Sequence, residues 1–535
     1  MSGSPPAADH PAATSLTRSA RLERLAAEQF DLLVIGGGAL GASTAWAASR
    51  AGARVALVDG GDAAGATSSA SSKLVHGGLR YLGLGDVKLV REAHRERRWN
   101  ARLVAPHLVR PLQFILPVGP ETPHRPVEIR LGVFAYAALS GFRDGRTGRL
   151  KPAEAYKLAP GLRHDAERTY VAYHDHQTDD ARLVLAALRT AEVNGAVWLN
   201  YARVEGLRIA GGTVAGADVV DVVSGERFAI SARTVVNATG PWVDHIRRLE
   251  DPNAGATVRL SKGAHLVLDC SEPWHAAVTS PLPGGRVSFA IPWHGLLLLG
   301  TTDEPFEGDP ATVRPTEADQ AQILAEAATS LAADVVNPAC VRSAFAGLRV
   351  LPLGGTSTAG TRRETVFTTG KAGMISVAGG KLTTWRRIGV DVATQALTSI
   401  QEPRPDTHPA PLVGAADPHA VAADLLRLHP ALPEGSAAHL AGLYGSLAHD
   451  VLYPARLAPE LYELIVPGGP DVLAQARYAV EYESAITPDD ILRRRTTVAL
   501  RGFEAEGRER VARFLPGRGA STDGPAAAAT RSDWP

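Results

Sequence analysis

Three glycines and one aspartate have the types and spacing of a dinucleotide site. Gly36, Gly38 and Gly41 follow the pattern G-x-G-x-x-G, and Asp59 comes about 20 residues later. The first glycine allows a tight turn, the second lets backbone amides approach a pyrophosphate, and the third lets a helix pack close to a strand. Asp59 stands where a carboxylate can hold ribose hydroxyls. This pattern predicts a bound dinucleotide and leaves open whether it is NAD or FAD.

A second group of reactive side chains follows a segment of small residues. Residues 61–72 are mostly Gly, Ala, Ser and Thr, and Lys73, His76, Arg80 and Tyr81 are then interleaved with further small residues. A flexible linker would explain the small residues alone, but linkers rarely carry this set of basic and aromatic side chains. We therefore interpret the segment as functional.

A third candidate is the sequence Gly-Gly-Lys-Leu-Thr-Thr at residues 379–384, where a predicted helix begins. Amide groups at a helix N-terminus favour an anion or a carbonyl oxygen. The segment is not a P-loop, because the spacing that precedes a Gly-Lys pair in that motif is missing.

Regular elements must position these residues. Residues 32–35 and 55–58 are wholly apolar and predict buried strands on either side of a helix over residues 39–51. Short strands with Gly-rich turns over residues 197–231 predict a small antiparallel meander, and alternating apolar segments over residues 258–299 predict a second sheet. Residues 415–514 show helical periodicity and few strand signals.

The predicted fold is therefore α/β. A Rossmann-like, dinucleotide-binding domain is interleaved with an antiparallel β-sheet substrate domain, and an α-helical domain follows at the C-terminus. The expected boundaries are a disordered tail at 1–28, the cofactor domain at about 29–110, 175–260 and 340–400, the substrate domain at about 111–174 and 261–339, a linker at 401–414, the helical domain at 415–515 and a disordered tail at 516–535.

Composition narrows the function classes. The 535 residues include 56 Lys plus Arg and 56 Asp plus Glu, so the zero formal charge gives no reason to expect a nucleic-acid partner. The two cysteines, Cys270 and Cys340, are too few for a disulfide framework or a cysteine metal site, so no metal is expected. No segment has the ~18 apolar residues of a membrane span, so the cytoplasm is the expected location and any membrane contact is peripheral.

A charged helix is predicted over residues 86–104. Its arginines Arg91, Arg95 and Arg98 lie beside acidic residues, which is typical of a solvated surface with ion pairs four residues apart. The alternative is that these arginines rest on anionic lipid.

Several separated motifs together resemble the FAD-dependent glycerol-3-phosphate dehydrogenases. The resemblance covers residues 30–510, and its most specific part is the string from Thr67 to Leu82. Three features depart from the family pattern. The family usually has Glu at Asp59 and Pro at Val350, and the loop at 354–360 is unusually rich in Gly, Ser and Thr. The motifs lie at residues 34–38, 66–82, 180–183, 236–243, 262–265, 291–293, 300–303, 379–384 and 492–495.

The resemblance implies oxidation of sn-glycerol 3-phosphate to dihydroxyacetone phosphate by hydride transfer to FAD. His76 and His265 are the implied candidates for the base, with Lys262 close by, because the pKa of histidine lies near neutrality. Arg349 would bind phosphate or polarise the reacting oxygen. The phosphate dianion would otherwise be bound by three further side chains, Arg80, Tyr81 and Arg362. The simpler alternatives are packed histidines and surface arginines.

The same resemblance implies a set of FAD contacts along the chain. The glycine turn would hold the pyrophosphate, Asp59 the ribose, and the helix start after Gly379 the flavin carbonyl that gains negative charge. The implied contacts are Gly36, Gly38, Gly41, Asp59, Thr67, Ser68, Ser72, Val204, Thr239, Gly240, Gly380, Lys381 and Leu382.

The electron acceptor is expected to be a quinone met at the inner face of the cell membrane. One alternative is a glycerol-3-phosphate oxidase that uses oxygen, and a second is another FAD-dependent amine or amino-acid oxidase. A third alternative, from a different class, is a non-catalytic dinucleotide-binding protein. The oligomeric state stays open, with a homodimer as one option.

Overall fold

The computed structural model describes residues 15–82, 86–120, 122, 125–145, 147–353 and 365–516. Arg362 and the Gly-rich loop at 354–360 lie outside these ranges, as do residues 1–14 and 517–535 of the two predicted tails. The side chains of Arg80 and Tyr81 also lie outside the described part, although their backbone belongs to a short helix.

The strands of the described residues form two sheets. In chain order they are β1 (Gln29–Ile35), β2 (Val55–Val58), β3 (Leu74–Val75), β4 (Arg110–Val118), β5 (Gly148–Leu150), β6 (Thr169–Gln177), β7 (Val197–Leu199), β8 (Ala202–Ala210), β9 (Thr213–Asp221), β10 (Arg227–Asn237), β11 (Val258–Asp269), β12 (Ala276–Pro281), β13 (Val287–Trp293), β14 (Leu296–Gly300), β15 (Glu304–Phe306), β16 (Val341–Pro352), β17 (Thr365–Thr369) and β18 (Ile375–Gly379).

Helices cover the sheets and form the C-terminal part. They are α1 (Arg18–Ala27), α2 (Ala39–Arg50), α3 (Leu79–Leu82), α4 (Val87–Trp99), α5 (Pro126–Leu139), α6 (Pro152–Leu158), α7 (Asp180–Val193), α8 (Val243–Glu250), α9 (Glu317–Ala327), α10 (Trp385–Ser399), α11 (Pro418–Leu428), α12 (Ser436–Tyr444), α13 (Ala448–Leu452), α14 (Leu473–Tyr482), α15 (Pro488–Asp490) and α16 (Glu504–Ala512).

The first sheet contains the glycine turn. Its order is β17-β18-β10-β1-β2-β7, and β1 pairs in parallel with both β2 and β10. Residues 32–35 are buried on both faces because α2, α7 and α10 cover one side and α1 and α8 the other, which explains their unbroken apolar run. The predicted meander is confirmed, since β8, β9 and β10 pair antiparallel within this sheet.

The second sheet differs from the prediction in two respects. Its order is β15-β11-β14-β13-β12-β4-β6-β3, and β12 pairs with β4 in parallel, so the sheet is not wholly antiparallel. Strand β16, which we assigned to the cofactor domain, pairs with β11 in this sheet. The partner of a strand depends on distant residues, so the local pattern of residues 341–352 could not reveal it.

The predicted C-terminal helical domain is confirmed. Helices α11 to α14 and α16 share a hydrophobic core of their own. Buried ion pairs join this domain to the rest of the chain, for example between Arg182 of α7 and Glu483, whose Nη1 and Oε2 atoms are 2.7 Å apart. Among the described residues, no helix has both the length and the apolar composition required to cross a bilayer.

The disordered tail predicted for residues 1–28 is wrong from Arg18 onward, because residues 18–27 form α1. Leu25 is fully buried beside Phe30 in one apolar cluster. Arg21 is also buried, with its guanidinium 2.6 Å from Glu192 and 4.6 Å from the ring centroid of Trp198. These stabilising partners are remote in sequence, so composition alone suggested disorder.

The ion pair between Arg182 and Glu483 should contribute strongly to the stability of the folded chain. Glu483→Gln removes one charge and leaves the buried Arg182 uncompensated, so we expect the free energy of unfolding to fall by about 3 kcal/mol. Glu481→Gln is the matched control, because Glu481 forms an exposed pair with Arg477 and should cost less than about 1 kcal/mol. Chemical denaturation of both variants provides the measurement, and equal stabilities would contradict this account.

Candidate active site

A cavity of about 1370 Å³ lies between the two sheets. Its wall includes Gly36 and Gly38 of the glycine turn and also His76, His265 and Arg349. The first sheet therefore supplies a dinucleotide-type turn and the second sheet supplies β-strand side chains to one shared space.

The glycine turn is held by backbone contacts that exclude side chains. Gly36 has a φ of 109°, and a Cβ atom there would lie 2.6 Å from the carbonyl oxygen of Ala238. A Cβ atom on Gly41 would lie only 1.8 Å from the carbonyl oxygen of Gly36. Gly38 precedes α2, so the amides of the first turn of this helix face the cavity wall. This geometry fits the predicted pyrophosphate cradle.

Asp59 connects two segments of the cavity wall. Its Oδ2 atom accepts a hydrogen bond from the Gly37 amide at 2.6 Å, and its Oδ1 atom accepts one from the Gly61 amide at 2.8 Å. The side chain lines the cavity after β2, which is where a ribose-binding carboxylate is expected.

The small-residue segment forms an ordered loop along the cavity, and it is not a linker. Thr67 donates its hydroxyl to the Leu348 carbonyl at 2.8 Å, and the Ser68 hydroxyl accepts a hydrogen bond from the Ala39 amide at 3.0 Å. Ser72 also lines the cavity. The loop thus contacts the start of α2 on one side and β16 on the other.

A buried ion pair between Asp180 and Lys73 anchors this loop. Asp180 accepts hydrogen bonds from the amide and the hydroxyl of Ser71, at 3.0 and 2.7 Å. Its other oxygen lies 2.5 Å from the Lys73 ammonium. Both side chains are almost fully buried, so the carboxylate is paired and hydrogen-bonded as a buried charge must be. The proximity of Asp180 to Lys73 depends on tertiary structure, and no local signal indicates it.

His265 faces the cavity as a neutral imidazole. Its Nε2 atom lies 2.9 Å from the Ser72 hydroxyl, and its ring stacks on Phe345 with centroids 5.0 Å apart. Burial, together with the charges of Arg349 and Lys73, lowers the pKa of His265 to about 3. The ring can therefore exchange a hydrogen bond with Ser72, but it carries no charge near neutral pH.

The Arg349 side chain, on β16, passes over the neighbouring strand β11 at Gly263. Its Nη1 and Nη2 atoms donate to the carbonyl of Thr302 at 3.0 Å and to the hydroxyl of Thr301 at 2.9 Å. A Cβ atom on Gly263 would lie 2.6 Å from both of these nitrogens. The glycine next to Lys262 in the chain is therefore required for the guanidinium to reach the cavity.

His76 and the predicted helix start lie side by side. The backbone amide of His76 donates to the Thr383 hydroxyl at 3.0 Å, and that hydroxyl donates to the His76 carbonyl at 2.9 Å. Gly380, Lys381 and Leu382 line the cavity, and the Lys381 side chain is buried. The α-helix itself begins at Trp385, after a short 3₁₀ turn.

The structure does not bring every predicted residue to the cavity. Val204, Thr239 and Gly240 line it. Gly41 lies beneath the turn as a packing residue. Lys262 does not line the cavity, because its ammonium pairs with Asp319 at 2.7 Å and with Glu304 at 3.3 Å. The structure therefore gives no support to Lys262 as an assistant to the base.

Several polar residues of the cavity wall were not predicted, and Tyr173, Thr279 and Arg286 are examples. Tyr173 and Thr279 share a hydrogen bond of 2.9 Å between their hydroxyl groups. Arg286 lines the same cavity and pairs with Glu326 at 2.8 Å. No local pattern indicates these residues, because the burial of β6 does not alternate and Arg286 follows a short turn.

Comparison with known proteins gives the family. Residues 31–386 match the model of FAD dependent oxidoreductases, and residues 405–513 match the C-terminal domain of alpha-glycerophosphate oxidase. A glycerol-3-phosphate dehydrogenase of Mycobacterium leprae is 37% identical over 90% of this chain and 83% of its own. The chain belongs to the FAD-dependent glycerol-3-phosphate dehydrogenases. The predicted family is thus confirmed, and FAD, not NAD, is the cofactor.

Solved structures agree with this assignment. The glycerol-3-phosphate dehydrogenase of Bacillus halodurans, complexed with FAD, is 30% identical, with a TM-score of 0.76 over 93% of this chain and 92% of its own. Glycine oxidase from Geobacillus kaustophilus is 20% identical, with a TM-score of 0.52 over 72% of this chain and 98% of its own. The second likeness shows the fold alone, so the alternative of an amino-acid oxidase gains no support from it.

Gly263→Ala should displace Arg349 without disturbing the cofactor cradle. Misplacement of a reactive-site group by about 1 Å can reduce the rate roughly a hundredfold, so we expect a comparable fall in kcat/KM. The matched control is Gly255→Ala, because a Cβ atom on Gly255 meets no atom within 4 Å. Steady-state kinetics, together with flavin absorbance to verify cofactor content, measure the effect. Unchanged kinetics in Gly263→Ala would show that Arg349 does not act in the cavity.

Proposed function

We propose that this protein oxidises sn-glycerol 3-phosphate to dihydroxyacetone phosphate. The observation that supports this most is the shared cavity, in which the glycine turn of the first sheet meets His76, His265 and Arg349. The names of its relatives point to the same substrate. FAD, when bound, accepts the hydride that leaves the second carbon of the substrate.

The base must take the hydroxyl proton of the substrate as the hydride leaves. A base works best when its pKa lies near the operating pH. The pKa of His265, at about 3, is far below that range. His76 therefore becomes the proposed base, and His265 positions the substrate through its neutral ring together with Ser72.

Cationic groups must hold the phosphate and the reacting oxygen. Arg349 is fixed by the carbonyl of Thr302 and the hydroxyl of Thr301, so its guanidinium is preorganised to polarise the substrate oxygen. Arg80, Tyr81 and Arg362 stay in the proposal as phosphate-binding residues on the basis of the sequence. The amides that begin the turn after Gly380, with the buried Lys381, favour negative charge on the flavin.

His76→Gln should remove the base while it preserves side-chain size and hydrogen bonding. Loss of general base catalysis typically costs 10²–10⁴ in rate, so we expect kcat to fall by about that factor. The acidic limb of the pH–rate profile should also disappear, because activity would no longer depend on removing a proton from an imidazole. Stopped-flow reduction of the bound flavin under anaerobic conditions measures the step directly.

His265→Asn provides the comparison for this experiment. Because His265 is neutral near pH 7, its replacement should raise KM more than it lowers kcat and should leave the acidic limb in place. The opposite result, with the limb lost in His265→Asn and kept in His76→Gln, would exchange the two roles.

We further propose that electrons pass to a quinone at an anionic membrane surface. Helix α5 supports this, because Val127, Leu131 and Phe134 are 57%, 65% and 60% exposed on one of its faces. Phe142, 54% exposed, packs on Phe134 with ring centroids 5.4 Å apart. A contiguous exposed apolar surface of this kind marks an interaction site.

The position and charge of α5 favour a lipid surface as the occupant. Its opposite face, at Ile129 and Val133, lines the cofactor cavity, so a quinone held at α5 would lie close to the flavin. Exposed arginines lie nearby on three segments, namely Arg91 and Arg95 on α4, Arg130 on α5 and Arg143 after it. Arg98, also expected to meet lipid, donates instead to the Ser140 carbonyl at 2.6 Å. Exposed apolar side chains together with exposed arginines suit an anionic bilayer interface.

Leu131→Asp should weaken binding to phosphatidylglycerol vesicles at every salt concentration. Burial of one leucine contributes roughly 1.5–3 kcal/mol, so we expect an affinity loss of at least about tenfold in flotation assays. For the unaltered protein, binding should decrease in 1 M salt but persist, because salt screens the arginines and not the apolar contact. Leu457→Asp is the control, since Leu457 is 88% exposed on the helical domain and should leave binding unchanged.

Quinone reduction completes the test. Leu131→Asp should slow turnover with a membrane quinone and leave anaerobic flavin reduction by glycerol 3-phosphate unaffected. If the unaltered protein does not float with vesicles at any salt concentration and turns over rapidly with oxygen, the acceptor proposal fails and the oxidase alternative replaces it.

A further inference from the structure

The Leu-Arg-Arg-Arg motif at residues 492–495 of the helical domain has no role in the reaction described above. Two of its arginines nevertheless bind Asp62, in the loop that lines the cofactor cavity after β2. Residues 491–495 form a π-helical turn, a local widening of the helix that is frequent at functional sites. Arg494 donates from Nε to Oδ2 of Asp62 at 2.5 Å, and Arg495 donates from Nη2 to Oδ1 at 2.8 Å. Arg493, by contrast, points to the surface and pairs with Glu504.

Asp62 belongs to the loop that follows β2 and lines the cofactor cavity. All of residues 59–62 contribute to the wall. Asp59 binds the Gly61 amide, and the Gly61 carbonyl accepts a hydrogen bond from the Tyr201 amide at 2.9 Å. Asp59, the proposed ribose-binding residue, therefore lies at one end of the loop. Asp62, which accepts hydrogen bonds from the two arginines, lies at the other end.

A second contact joins the same loop to the helical domain. Asn200 donates through Nδ2 to Asp62 at 3.1 Å and to the Ser484 carbonyl at 2.7 Å. The Tyr201 hydroxyl donates to Asp490 at 2.7 Å, and Arg494 donates to the same carboxylate oxygen at 2.8 Å. The helical domain therefore contacts both the loop and the segment between β7 and β8.

We propose that Arg494 and Arg495 are positioning residues for FAD, through which the docked helical domain holds residues 59–62 in the conformation that binds the adenosine half of the cofactor. The proposal depends on FAD binding and not on the identity of the substrate or of the electron acceptor.

Burial makes the loss of this contact energetically costly. Asp62 and Arg495 are almost fully buried and Arg494 is 8% exposed, so water cannot replace a lost partner and a broken pair leaves an uncompensated charge. The loop would have to move outward to solvate Asp62, and Asp59 would move with it. Because coupling between two binding events is reciprocal, FAD should in turn stabilise the docking of the helical domain.

Arg494→Gln tests the first direction of this coupling. We expect the Kd for FAD, measured by quenching of flavin fluorescence on titration of the full-length apoprotein, to rise about tenfold, within the usual range of such coupling. KM for glycerol 3-phosphate at saturating FAD should stay unchanged. Arg494→Lys should recover part of the affinity, because it restores the charge but not the planar geometry.

Two controls distinguish positioning from general destabilisation. Arg493→Gln alters the adjacent surface arginine and should leave FAD affinity unchanged. Glu483→Gln removes a buried ion pair of the same domain interface that does not involve Asp62, and it should lower stability with little effect on the Kd for FAD. Equal losses of FAD affinity in Glu483→Gln and Arg494→Gln, or no loss in Arg494→Gln, would overturn the proposal.

The reverse direction can be tested without any substitution. Adding FAD to the full-length apoprotein should slow hydrogen exchange of the amides at residues 483–495 severalfold, while α11, whose buried residues pack in the core of the helical domain itself, should change little. If FAD does not change the hydrogen exchange of residues 483–495, the helical domain does not respond to cofactor binding and the inference is wrong. This result does not depend on whether any variant folds.

Discussion

The close approach of three backbone segments around Gly36 is the constraint on which the cofactor site depends. The end of β1, the start of α2 and the end of β10 meet there, and a side chain on Gly36 or Gly41 would collide with a carbonyl oxygen. Any such side chain would push α2 away from the sheet and turn its first amides away from the pyrophosphate. The position of the cavity follows, because it opens where parallel strands end and their connections diverge.

A few buried polar contacts connect the second sheet to the cofactor site. Asp180 fixes Ser71 and Lys73, which places Ser72 beside His265. The reactive side chains then come from strands and from a loop anchored at several points, and such rigid support is what precise positioning of a substrate needs. The buried charges are costly in isolation, so their retention at the junction of the sheets is best understood as positioning and not as a source of stability.

Local sequence patterns predict the elements whose structure depends mainly on neighbouring residues. The predicted strand over residues 32–35 lies within β1, which begins earlier, at Gln29. The predicted helix over residues 39–51 ends one residue after α2, and residues 55–58 match β2. Partners remote in sequence were not predictable, which explains the misassigned β16, the missed helix α1 and the unexpected engagement of Lys262 by Asp319. For the site, residue types identified the glycine turn, Asp59, His76, His265 and Arg349 as cavity residues. The support of Arg349 by Gly263 needed the register of two strands.

The effect of pH on this protein should separate stability from catalysis. Burial raises the pKa of Asp62, but Arg495 and Arg494 lower it further, from 3.8 to about 2. The stabilisation from this pair is complete above about pH 4 and is lost as the pH falls towards 2. The pKa of His265 falls from 6.5 to about 3, so the unfolded chain binds the extra proton between these values and stability also decreases as pH falls through that interval. Neither group titrates above pH 7. A change of rate with pH near neutrality therefore has to come from another group, and His76 is the remaining imidazole among the proposed reactive residues of the cavity.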